Sequence, residues 1–383
     1  MSNYTDASLI YYPSGYKAGK AYSLKPTDGS GDLTFTRAST ATRVNESGLI
    51  ESVATGVPRI DYTGGGCGKL LLEPQRTNLL PYSVGGGTGY STFGTVTVTN
   101  NFAVSPDGTT TSTRVNGSGV WRYRNENNTS LAPSTNYTFS VYVKSNTAGN
   151  QTFRLYLYNA NFSADLVATP TWQRFTFNST SSASVTQIHG LASDTSNNAA
   201  DVQVWGWQME QGSFPTSYIP TLGTAVTRVS DNFQSIVSSN WSSVSGTFFL
   251  KLQAFAGDAS YRQFSLYGSG NDSLIISYTN TTNQLIVTMK VGGSTIYYMP
   301  YVLASLADVN SIAFAYTSGN TKLFVNGFQV GASSGIYSTS EGLWTKFCSN
   351  IGANYNYYYG YVNEIALFKT RLSDAQLATL TTL

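Results

Sequence analysis

From about residue 92 to residue 222, apolar and polar positions alternate with period two, strand after strand. Tyr137, Phe139, Val141 and Val143 alternate with Thr138, Ser140, Tyr142 and Lys144; Phe153, Leu155 and Leu157 alternate with Arg154, Tyr156 and Tyr158. Turn clusters separate these runs, and no helical period intervenes. The pattern predicts an antiparallel sandwich or jelly roll. A second series follows, with strands expected over 247–255, 274–278, 284–291, 311–316 and 322–325. Ser318-Gly319-Asn320 and Asn326-Gly327 supply its hairpin turns. The chain ends on the one helical pattern: Ser373 and Gln376 are spaced as a capping box, and Leu377 and Leu380 form a short apolar stripe.

The first 82 residues are different. Short β-like pieces at 9–12, 33–36 and 69–72 stand between Gly and Pro, with too little apolar surface for a core of their own. This segment is expected to be ordered by its neighbours, and the Gly-rich tract 83–91 is expected to act as a hinge or linker. Between the two strand series lies VQVWGWQMEQGSFPTSYIPTLGTAVTRVSD, residues 202–231. It opens as a strand with Trp205, Trp207 and Met209 on one side, then Gly212, Pro215 and Pro220 end regular structure. Phe214, Tyr218 and Ile219 in the resulting connector need a surface to pack on.

These stretches carry resemblances. The run from Trp205 through Gln208, Glu210, Gly212, Pro215 to Thr221, Thr227, Arg228 and Asp231 resembles a motif recurrent in bacteriophage virion proteins. Phe35 to Thr42, then Pro58, Arg59 and Glu73 to Leu80, resemble the N-terminal module of the same proteins. The order of Tyr137 to Lys144, Trp172 to Phe175 and Val204 to Gly206 is similar to carbohydrate-binding-module-like jelly rolls. Residues 311–330, 360–368 and 372–377 resemble laminin-G-like or concanavalin-like sandwiches. The expected fold class is all-β, with tandem antiparallel β-sandwiches behind an irregular N-terminal attachment region. The boundaries expected are 1–85, 86–231 and 232–383.

Composition narrows the function. Only 11% of the residues are charged, while Gly numbers 36 and Tyr 27, so the surface must be built from Ser, Thr, Asn and Tyr. A net charge of +2 without a basic run predicts no nucleic-acid partner. No apolar run approaches the roughly 18 residues of a membrane span, and no secretory signal is evident at the start, so neither membrane nor export is expected. Cys67 and Cys348 are expected to be unpaired.

Catalytic constellations are sparse. Gly331-Ala332-Ser333-Ser334-Gly335 spells a nucleophile-elbow string, but no helical period follows it. The one histidine, His189, lies in the middle strand series and reads as a sheet residue. Acidic residues are scattered without the pairing that acid–base hydrolysis uses. His/Cys metal spacing is absent, and Asp258 and Asp272 read as loop acids rather than calcium ligands. No cofactor, metal or catalytic residue is expected.

Aromatic residues remain. Trp121, Tyr123, Tyr142, Tyr156 and Tyr158 are the expected glycan-contacting platforms, since rigid exposed rings bind sugars at low entropic cost; packing on a neighbouring subunit is the alternative. Tyr355, Tyr357, Tyr358, Tyr359 and Tyr361 read equally as a ligand rim or an alternating strand. The resemblances imply a non-enzymatic head- or tail-fibre or appendage subunit on the virion. Its expected partners are other virion proteins through the N-terminal region, host-surface glycans, and two further copies in a homotrimer. A tailspike-like depolymerase and a ligand-free capsid decoration are the alternatives.

Overall fold

A computed structural model describes residues 3–86, 88–157, 161–181, 186–235, 238–255, 261–268, 272–279, 281–349 and 357–383. Apart from the helix Asp374–Thr381 and two short 3-10 turns, its regular elements are strands, and every pairing between them along the sheets is antiparallel. They form two compact units. One gathers Met1–Thr40, Val53–Pro74 and Val229–Leu383; the other gathers Ala41–Ser52 and Gln75–Arg228.

These bounds correct the division at 85 and 231, and the reason is burial. The N-terminal pieces are too short to hide their own apolar faces, so they complete sheets whose other strands come from the last third of the chain. Leu9–Tyr11 pairs with Gly360–Phe368, placing Leu9 opposite Leu367. Leu33–Thr36 pairs with Asn232–Ser235, placing Phe35 opposite Phe233. Lys69–Leu72 lies between Arg59–Asp61 and Gly360–Phe368. The second unit is thus inserted into the first at two places, a short segment between Thr40 and Val53 and the main one between Pro74 and Val229.

In the first unit, an eight-stranded sheet runs in the order Phe328–Ser333, Thr321–Val325, Asn310–Tyr316, Gly246–Ala254, Gly360–Phe368, Lys69–Leu72 and Arg59–Asp61, with Leu9–Tyr11 also on Gly360–Phe368. A nine-stranded sheet opposes it, from Tyr16–Lys17 at one edge to Ser294–Val302 at the other. Phe248, Leu250, Phe314 and Leu367 of the first meet Phe35, Phe233, Phe264, Ile276 and Phe347 of the second. The outer face of the eight-stranded sheet is covered as well. There Leu377 and Leu380 of the final helix pack on Phe249, Ala313, Ala315, Ala366 and Phe368. Burial on both faces explains why Gly246–Ala254 and Asn310–Tyr316 read as nearly continuous apolar runs. The helix carries the expected capping box between Ser373 and Gln376.

The second unit is built on a nine-stranded sheet, beside which Arg76–Asn78 and Val226–Arg228 form a separate two-stranded ladder. Its long strand Thr113–Ser130 pairs with Ala200–Gln211 through residues 113–117 and with Thr186–Ala192 from Arg122 onward. The change of partner falls at Gly117 and Gly119, and opposite it Gly94, at φ +76°, forms a bulge where a Cβ would strike the Val120 carbonyl. The sheet curls over Phe139, Val141, Phe153, Leu155, Leu191, Val204, Trp207 and Met209. The tract 83–91 is not a free hinge. A Cβ on Gly85 would lie 2.8 Å from Trp207 Nε1, and Tyr90 is stacked on Tyr123 within this core. Glycine is needed there for close approach.

Two buried polar systems use the residues of the recurrent motifs. In the first unit, Arg59 is ion-paired with Glu73 at 2.6 Å and also with Asp231, while Arg37 reaches Asp231 at 3.1 Å. Arg37 further donates to the carbonyls of Ser39, Val57 and Ala54. The Asp231 and Glu73 backbones close on each other: Glu73 N–H donates to the Asp231 carboxylate, and Asp231 N–H to the Glu73 carbonyl. All four side chains are buried. Burial opposes the charge on Arg59, yet the carboxylates of Asp231 and Glu73 outweigh it and hold its pKa above the ordinary arginine value.

In the second unit, Asn78 donates to the carbonyls of Trp207 and Ile219 and accepts from the N–H groups of Leu80 and Met209. Gln208 holds Ser217 and Ile219, and Glu210 holds both the N–H and the hydroxyl of Thr216. The Pro-rich connector therefore folds back on its own strand, and Tyr218 packs on Trp205 at 4.5 Å. The motif residues are conformational locks.

Two outcomes test this organisation. Asp231→Ala leaves two guanidiniums buried without their shared carboxylate, so denaturant unfolding should show a loss of about 3–5 kcal/mol in the first unit. A fragment of residues 232–383 lacks the strands at 9–11, 33–36, 59–61 and 69–72 and should aggregate or melt without cooperativity. A chain in which 41–52 and 75–228 are replaced by short Gly-Ser linkers should show one cooperative melt by circular dichroism.

Candidate functional site

The residues around the second 3-10 turn and the end of the eight-stranded sheet build a cleft in the first unit. It has a volume of about 350 Å³ and is lined by Ser239, Trp241, Ser242, Ser243, Glu341, Gly342, Trp344 and Lys369. Trp241 follows the turn Ser238–Asn240 and precedes Gly246–Ala254; Trp344 precedes Lys346–Cys348; Lys369 follows Gly360–Phe368. Sheet ends therefore position three of its chemically distinct side chains.

A short hydrogen-bond chain fixes the geometry. Trp241 Nε1–H donates to the Trp344 carbonyl at 2.8 Å. Glu341 accepts from the Ser242 hydroxyl at 2.6 Å and from Ser243 N–H at 3.2 Å. The Ser243 hydroxyl donates to the Ser340 carbonyl and accepts from Leu343 N–H. Below them Trp344 stacks edge-on against Tyr316 at 5.3 Å, and Tyr316 donates to the Ser242 carbonyl. Burial, reinforced by the charges of Tyr337 and Glu341, pushes the Tyr316 phenol well up, so it stays a neutral donor. The Trp344 indole N–H is buried and has no hydrogen-bond partner among the described residues. Glu341 and Lys369 are both exposed.

The cleft thus combines an exposed carboxylate acceptor, an exposed ammonium donor and several hydroxyls over two indoles that are themselves buried. That set offers mixed donors and acceptors for the hydroxyls of a polyhydroxylated ligand. Sequence reading missed it because its members lie in three separate loops. The one signal was Trp241 and Trp344 flanking the strand series.

The aromatic platforms expected from sequence are placed elsewhere. Trp121, Tyr123 and Tyr156 are 0%, 1% and 0% exposed, which corrects their reading as exposed sugar contacts. Trp121 and Tyr123 occupy the core face of their strand, where Tyr123 meets Trp207, and burial raises the Tyr123 phenol. Tyr142 is half-buried between Trp205 and the guanidinium of Arg174. Tyr158 and Tyr355 lie outside the described residues, as does Asp258. Tyr357 and Tyr359 stack at 6.1 Å, whereas Tyr358 is buried. Trp205, Trp207, Phe214 and Tyr218 are buried within their own unit.

Ser333 ends the strand Phe328–Ser333 and accepts from Gly335 N–H, without a following helix. His189 is buried on the core face beside Phe139. Asp272 is buried and accepts from Gly292 N–H, and no cluster of metal-ligating side chains occurs among the described residues. Cys67 is exposed; Cys348 is buried with its Sγ 3.5 Å from Ser265 Oγ, and neither forms a disulfide among the described residues.

Parts of this chain are similar to known proteins. Similar solved structures include a leech intramolecular trans-sialidase complexed with 2,7-anhydro-Neu5Ac, with 15% identity, 37% of this chain and 23% of that one covered, and a TM-score of 0.30. The receptor-binding domain of botulinum neurotoxin type G shares 10% identity over 39% of this chain and 38% of that one, with a TM-score of 0.30. A structure of botulinum neurotoxin type C, whose cell entry is described as dependent upon interaction with two ganglioside molecules, shares 11% identity over 39% of each chain, with a TM-score of 0.33. The chain thus spans about a quarter to two fifths of these structures. Among curated proteins none matches. Residues 222–378, the segment that builds the cleft, match the laminin-G family model described as the concanavalin A-like lectin/glucanases superfamily.

Proposed function

We propose that this protein is a non-enzymatic adhesion subunit of a bacteriophage particle, a head- or tail-fibre or appendage component that binds surface glycans. The cleft of Ser242, Ser243, Glu341 and Lys369 carries the glycan-binding part of this reading, because it sets exposed groups of both charge signs beside hydroxyls in a segment that matches a lectin-superfamily model. The virion part rests on the resemblance of Phe35 to Thr42, Glu73 to Leu80 and Trp205 to Asp231 to recurrent phage motifs. That resemblance also supports attachment through the N-terminal segment and a homotrimer. The polar surface, with 11% charged residues, suits an extracellular adhesin.

On a glycan array, the full-length protein should bind a restricted set of saccharides. Lys369→Ala and Glu341→Gln should each lower that binding about tenfold with little change in melting temperature, since both side chains are exposed. A blank array would leave the decoration reading in its place, and new reducing ends on incubation with host polysaccharide would establish a depolymerase. Immunogold labelling of intact particles tests the virion assignment. Light scattering should give a mass near three chains; a stable monomer would overturn the trimer.

A further inference from the structure

The second unit carries an arginine–aromatic face that the cleft reading does not use. Directly paired residues of antiparallel strands share a face. Phe93 pairs with Arg122, Arg122 with Ala192, and Ala192 with Arg154, which sets one row across four strands. The next row runs through Ser91, Arg124, Gly190, Tyr156 and Phe162. Three guanidiniums therefore stand on one side of the sheet, with the small residues Ala192 and Gly190 between Arg122 and Arg124 on one flank and Arg154 and Tyr156 on the other. Gly190 is obligatory there: a Cβ would lie 2.1 Å from the Tyr123 carbonyl oxygen.

The guanidinium of Arg122 lies over the rings of Phe93, Tyr156 and Phe162 at 5.8, 5.5 and 5.3 Å. It makes no side-chain hydrogen bond and no ion pair with the described residues. Arg154 lies over Phe162 at 4.6 Å, donates to the Ser193 carbonyl and stands 3.9 Å from Asp165. Arg124 donates to Ser91 Oγ. Phe93 is 52% exposed, so the row opens to solvent.

We infer that this face is a second glycan-binding site, specific for a carboxylate-bearing polysaccharide. A planar guanidinium held between rings is a preorganised fork with its donors unspent, and a carboxylate is its geometric complement. Phe93 and Phe162 beside it offer apolar faces for the C–H surface of a pyranose. Ala192, Gly190 and Tyr156 are buried beneath these groups, so the accessible part of the face is Phe93 with the partly exposed Arg122, Arg124, Arg154 and Phe162. With three cations and no lysine run, the face lacks the phosphate-tracking charge of a nucleic-acid groove.

Titration calorimetry of the full-length protein with tetragalacturonic acid, and with its methyl ester, tests the inference. The acid should bind, the ester at least about tenfold more weakly, and affinity should fall as salt rises. Arg122→Gln should cost about tenfold or more, and Arg154→Gln, which keeps the rings in place, should cost a similar factor. If Arg122→Gln lowers the melting temperature, the Arg154→Gln result decides. Equal affinity for acid and ester, absence of binding, indifference to both substitutions, or tighter binding of oligothymidylate would each overturn it. Loss of acid binding in Lys369→Ala would assign the ligand to the cleft and likewise overturn it, whereas a blank neutral-glycan array would count against the cleft alone.

Discussion

Two arginines and two carboxylates, all removed from solvent, tie together segments that the sequence keeps far apart. Arg37, Arg59, Glu73 and Asp231 carry no net charge as a group, which is the condition under which ions remain inside a protein. All three Arg37 side-chain nitrogens donate, to Asp231 and to the carbonyls of Ser39, Ala54 and Val57, so the cluster also holds these backbone positions. Around it the two sheets of the first unit acquire their N-terminal strands.

Much of the fold was legible from periodicity. The alternation at 137–144 became Asn136–Ser145, and the hairpin at Asn326-Gly327 formed with both residues at positive φ. The capping box at Ser373 and Gln376 formed as spaced. Strand pairing was less legible. Leu9–Tyr11 has three residues and gains its meaning only opposite Leu367, more than three hundred residues later, so no local pattern announces it. The glycine tract misled for a related reason: glycine marks flexibility or close approach, and only the presence of Trp207 against Gly85 decides which.

Candidate chemistry was legible by type but not by side. Alternation put Trp121 and Tyr123 on one face and Arg122 and Arg124 on the other, and the sheet turned the indole inward. In a Tyr-rich chain with few charges, both faces look equally fit for solvent, so the inside–outside choice is made by curvature. Two aromatics near the surface that the strand pattern did not single out, Phe93 and Phe162, are recognisable only across strands. The cleft residues show the same limit, since Trp241, Glu341 and Lys369 are loop positions that meet only in space.

The insertion of one unit within the other has a consequence for synthesis. Glu73 and Asp231 are 158 positions apart, yet their backbones hydrogen-bond. During translation the first unit must therefore wait, its early strands unpaired and Arg59 without its full complement of counter-ions, until Asp231 leaves the ribosome. Closing so long a loop in an unstructured chain is entropically unfavourable. The second unit removes most of that penalty if it folds first, because Arg76–Asn78 pairs with Val226–Arg228 and brings its two ends side by side. A lesion that delays the inserted unit is then a lesion in the assembly of a domain whose own sequence is intact.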